Sequence, residues 1–151
     1  MAKLIDANVI LRYLLDDDSQ MAEIAQAAIQ EGAFTIPSVI AEVVYVLDGV
    51  YRTERSKIAS VLVRLLDEVS IEDKDVVDYG LTLYGKTKLD FVDCLLIARN
   101  RVLGEEVLTF DKKMARCKLK WPPIAGRPWQ MAWTPISYEL WYLQDRGFLD
   151  A

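Results

Sequence analysis

The chain has 151 residues, 52% of them hydrophobic and 27% charged, the composition of an ordinary globular domain long enough to bury a core. It has no histidine, and its two cysteines, Cys94 and Cys117, form no CxxC pair. Zinc sites of the Cys/His type, histidine general-base chemistry and Ser-His-Asp triads are therefore excluded, which leaves carboxylates, lysines, hydroxyls or an oxygen-held metal ion to carry any catalysis.

Charges interrupt every apolar run before it reaches the roughly 20 residues of a membrane helix. The N-terminus lacks the apolar core of a signal peptide, so no membrane contact and a cytoplasmic location are expected. "AKLID" is a short strand and "ANVILRYLL" a helix that stops at Asp16-Asp17-Asp18. Asp18 or Ser19 can cap the next helix, "QMAEIAQAAIQ", which ends at Gly32. "AFTIP" is a strand, and Pro37 belongs in the first turn of a third helix, "SVIAEVVYVL". Thr53 is the expected cap of a fourth helix, "ERSKIASVLVRLLDEV". After the strand "VSIE" come a fifth helix broken at Gly85, a sixth over "DFVDCLLIARNRVLG", the strand "EEVLTF" and a short helical turn, "DKKMARC".

Strands alternating with helices imply an α/β fold, with a parallel sheet covered on both faces. A domain over residues 1–120 is then followed by a segment of different character, 121–151, holding all four tryptophans and four of the five prolines. Three readings of that tail stand: docking on the body or a second subunit, binding of a partner chain, or an appendage from cloning or a shifted reading frame.

The net charge of −5 is unevenly spread. Residues 1–85 carry 7 basic and 15 acidic side chains, whereas 86–120 carry 9 basic and 5 acidic. The basic flank consists of Lys86 and Lys88 and of Lys112, Lys113, Arg116, Lys118 and Lys120. It is either a solvated face or a surface for a polyanion backbone.

In an open parallel sheet, ligands bind beyond the carboxyl ends of the strands, where Asp6 and Asp111 fall. Each is either a helix cap or a ligand. Glu42 belongs to a narrow polar stripe with Ser38, Tyr45 and Gly49, facing solvent or a cleft. Asp93 stands in the first turn of its helix, where the dipole favours negative charge, either reaching back to cap or facing a site. Four converging carboxylates repel one another, and a hard divalent ion, Mg²⁺ or Mn²⁺, removes that cost and polarises a phosphodiester.

With "LIDANVILRYLL", "IPSVIAEVVYVL", "LDFVDCLLIARNR" and "VLTFDKKM" in this order, residues 3 to about 117 resemble the PIN-domain nucleases, most closely the VapC-type toxins of toxin–antitoxin pairs. The resemblance implies a three-layer α/β/α fold around a central parallel sheet of four or five short strands. It places the family's acidic quartet on Asp6, Glu42, Asp93 and Asp111, with Asn8 and Thr109 ordering the site. It further implies Mg²⁺-dependent endoribonuclease activity, homodimerisation, and neutralisation by an antitoxin whose tail occupies the cleft. From Trp121 onward the chain departs from the family, where a short last strand is usual. Two rivals remain. One is a non-catalytic PIN-like module that binds RNA or protein; the other is a phosphatase or phosphotransfer domain, against which Asn8, standing where a second Asp is needed, counts.

Overall fold

The computed structural model describes residues 2–120, and the tryptophan-rich segment 121–151 lies outside the described residues. Three strands form one parallel sheet in the order β1-β2-β3: β1 (Lys3–Leu4), β2 (Ala33–Thr35) and β3 (Val69–Ile71). Lys3 stands opposite Ala33, which in turn stands opposite Val69. Helices α1 (Ala7–Leu15) and α2 (Ser19–Gln30) cross from β1 to β2, and α3 (Pro37–Gly49) and α4 (Arg55–Leu65) cross from β2 to β3. Parallel neighbours require such crossovers, because a tight turn cannot return the chain in the same direction. After β3 come α5 (Lys74–Lys86), α6 (Phe91–Leu103) and α7 (Lys112–Lys120).

The helices form two groups that share one core. Helix α1 packs on α2 and α3, while α5 lies between α4 and α6. Ile10, Ile40, Leu62, Leu81 and Ile97, one from each of five helices, are fully buried in that core.

Local chemistry explains most element ends. The Asp18 carboxylate accepts the Met21 amide at 3.0 Å and starts α2. Pro37 opens α3, where its missing N–H leaves nothing unpaired. Gly104, with φ of 73°, closes α6 in the left-handed conformation that glycine adopts without strain.

Several expectations are corrected. Thr53 does not cap α4: the cap position falls on Glu54, with no side-chain capping bond, and Ser56 Oγ donates to the Glu54 carboxylate at 2.7 Å. Helix α5 is not broken at Gly85 but runs through it to Lys86. The glycine answers a packing demand instead, since a Cβ there would sit 2.8 Å from the Ala59 methyl of α4. Leu4, expected in a buried strand, is 60% exposed.

The sheet has three strands among the described residues, not four or five, because "EEVLTF" forms no ladder. Its alternation survives: Val107 packs on the core, while Leu108 and Phe110 are 88% and 96% exposed. The start of this segment is held by side chains instead. Asn100 Nδ2 donates to the Glu105 carbonyl at 2.8 Å, and Arg99 bridges the carboxylates of Glu105 and Asp73. Period-two patterning records β-propensity, whereas a strand exists only through bonds to a neighbour.

Candidate functional site

The carboxyl ends of β1 and β2 are locked together by Thr35, whose buried Oγ1 donates to the Ile5 carbonyl at 3.0 Å. The peptide leading into Asp6 is thereby fixed. Thr35 was legible in the sequence only as a hydroxyl closing an otherwise apolar strand, one strand away from a carboxylate.

Asp6 is exposed and caps α1, its Oδ1 accepting the Val9 amide at 3.0 Å. One bond to one oxygen leaves most of the carboxylate's acceptor capacity open, so capping and ligation are compatible. Glu42 is exposed on α3 together with Ser38, Tyr45 and Gly49, the narrow polar stripe anticipated from their spacing.

Asp93 is half-buried in the first turn of α6. Burial pushes its carboxyl above the ordinary range, and the negative charges of Asp90 and Asp111 push it the same way. All three causes disfavour the charge. Asp90 holds the cap position of α6 without a side-chain capping bond.

Asp111 is positioned by its own turn. The Thr109 hydroxyl accepts the Asp111 amide at 3.0 Å, and Asp111 Oδ1 accepts the amides of Lys113 at 2.7 Å and Met114 at 3.3 Å. Met114 is buried in the core and anchors this cap from below.

The structure thus brings Asp93 and Asp111 into electrostatic contact. Among the described residues no three carboxylates or thiols approach one point closely enough to share an ion. Carboxylates that converge without a cation repel, and here Asp6 spends an oxygen on its helix cap. The donor set is all oxygen, and the Asp93 environment, with two added negative charges, is one that a hard divalent cation relieves.

The basic flank surrounds these acids in sequence and is solvent-facing. Lys86 and Lys88 border the connection into α6, and Lys112, Lys113 and Arg116 lie along α7, all exposed. The side chains of Lys118 and Lys120 fall outside the described residues.

Asn8 lines a groove of about 570 Å³ between β1, α1 and α2, with Leu4, Val9, Met21 and Ile24. Lys3 and Arg12 also border the groove, whose walls are mainly apolar. Among the described residues no helix is long and apolar enough to cross a membrane.

Comparison with known proteins matches this architecture to one family. The model of the PIN domain matches residues 3–119. A VapC ribonuclease from Aquifex aeolicus (strain VF5) is 29% identical over 126 residues, covering 78% of this chain and 93% of the relative. No solved structure matches the chain.

Proposed function

Because the chain belongs to the PIN-domain family, we propose that it is a metal-dependent endoribonuclease and the toxin of a toxin–antitoxin pair. The observation that carries this reading is the half-buried Asp93 carboxyl, disfavoured as an anion by burial and by Asp90 and Asp111, with lysines on both sides in sequence. The name of the relative, a ribonuclease, points the same way.

Asp6, Glu42, Asp93 and Asp111 would hold Mg²⁺, with Mn²⁺ as a substitute. A divalent ion held there would supply polarisation of the scissile phosphodiester and activation of the attacking water, which would leave 5′-phosphate and 3′-hydroxyl ends. The chain's own residues do the rest. Lys86, Lys88, Lys112, Lys113 and Arg116 hold the RNA backbone through phosphate contacts that carry no sequence information. Thr109 fixes the turn from which Asp111 projects. Asn8, two residues after Asp6, would help order the site. The apolar groove suits an apolar segment of the antitoxin, and the functional unit is a cytoplasmic homodimer.

Titrating Mg²⁺ or Mn²⁺ into the protein and assaying a mixed RNA pool tests the proposal. Cleavage should require metal, and Asp6→Asn or Asp93→Asn should lower it by at least about a hundredfold with the fold intact. Full activity in either variant sinks the assignment. A second reading, a PIN-like module that binds RNA or protein without cutting, is favoured by the failure of three carboxylates to converge. RNA binding without metal binding at millimolar concentration would select it.

A further inference from the structure

We propose that Arg55 is a positioning residue for the candidate site, setting the entry into α6 from which Asp93 projects. The inference rests on the reading of Asp93 as a metal ligand, but the clasp that supports it is a feature of the fold by itself. Arg55 begins α4 and is half-buried. Its Nε and Nη2 donate to the Tyr84 carbonyl at 3.3 and 3.2 Å, and Nη2 also donates to the Leu89 carbonyl.

Both acceptors need that partner. Tyr84 lies in the last turn of α5, where carbonyls have no partner within the helix. Leu89 is buried immediately before Asp90, the cap position of α6. One guanidinium therefore bonds the end of one helix and the threshold of the next. It also lies over the Tyr84 ring, 3.6 Å from the centroid, and that ring meets Phe91 of α6 edge-on at 6.0 Å.

Thr87 pins the same connection from its other side. Its hydroxyl donates to the Leu83 carbonyl at 3.0 Å and accepts the Leu89 amide at 3.4 Å. The connection carries Lys88 outward and leads within a turn to Asp93, so its geometry relates the basic flank to the acid. A lysine at position 55 could stack on Tyr84 and reach one carbonyl, but it lacks the planar fork that spans two.

The discriminating experiment compares Arg55→Lys and Arg55→Gln with the unaltered chain, using Ile29→Val in α2 as a stability control. Mn²⁺ binding is read from the loss of the free-ion magnetic resonance signal, and amide exchange is followed over residues 89–94 in metal-free protein. Arg55→Lys should weaken Mn²⁺ binding by about tenfold, as loss of an outer support does in metal sites. It should also speed exchange at 89–94 relative to α1 and α2, and Arg55→Gln should do the same. Wild-type Mn²⁺ affinity in both variants overturns the proposal, as does an equal loss in Ile29→Val. If the unaltered chain binds no Mn²⁺, the metal reading fails by itself. Exchange then decides the clasp: acceleration confined to 89–94 supports it, and unchanged exchange there overturns it.

Discussion

A carboxylate half covered by protein is penalised as an anion, and Asp78 of α5 shows this away from the candidate site. Burial raises its pKa above the ordinary 3.8, Lys74 opposes that shift, and Asp67 and Asp75 add to it. A carboxyl whose folded pKa is raised binds its proton more tightly folded than unfolded, so its charged form weakens the fold at neutral pH. Asp78→Asn should stabilise the protein at pH 7 by about 0.5 kcal/mol, a figure kept small because solvent screens a half-exposed group. The gain should shrink as pH falls through the raised folded pKa and vanish below the ordinary value. Thermal unfolding of both proteins between pH 3 and 7 checks it; a gain independent of pH would exclude the electrostatic cause. Asp93 carries a shift of the same sign, and there the opposing cation is proposed to be a bound ion. At this scale the sequence was informative about residue type and uninformative about surroundings. Asp6, Asp93 and Asp111 stand out as acids at helix starts, but the influence of the Asp111 charge on Asp93 depends on the turn at Thr109, which no spacing rule predicts.

At the scale of elements, helix ends were more legible than strands because they are written locally. Asp6, Asp18 and Pro37 act within a turn of where they stand, and α1 runs over the same nine residues that the apolar pattern marks. A parallel strand depends on partners tens of residues away, so "EEVLTF" carries strand patterning without a ladder. Gly85 was misread for a related reason. Glycine in a helical pattern signals an end when only local propensity is considered, but here the α4–α5 contact requires the missing Cβ. Gly85→Ala gains about 1 kcal/mol of helix propensity. It also forces a methyl against Ala59 and near the Ser56 backbone, an overpacking worth roughly 1–3 kcal/mol. A net destabilisation of about 1 kcal/mol is expected in urea unfolding. A stabilised variant would show that the two helices separate freely.

Over the whole molecule, the distribution of exposed apolar surface separates the catalytic proposal from the partner proposal. Met21 and Ile24 are 52% and 64% exposed and line the groove beside β1, whereas none of the four acids lines it. Ile24→Asp should abolish copurification with a co-expressed antitoxin and leave metal-dependent RNA cleavage within about twofold, since a surface substitution away from the site perturbs stability little. Loss of both together would merge the two surfaces. The tail from Trp121 lies outside the described residues, so its three readings stand as alternatives that deletion and measurement of oligomeric state would separate.

What the sequence by itself determined was the class of chemistry and the order of elements. The absence of histidine leaves oxygen donors, and the alternation of short strands with amphipathic helices specifies a parallel α/β fold, both being consequences of residue type and local periodicity. What only the tertiary structure decided was which groups meet. Asp93 comes under the negative charge of Asp111, Arg55 closes on the threshold of α6, and Asn8 lines the groove. Those relations depend on how α4, α5 and α6 pack, and packing is settled by contacts between residues that are distant along the chain.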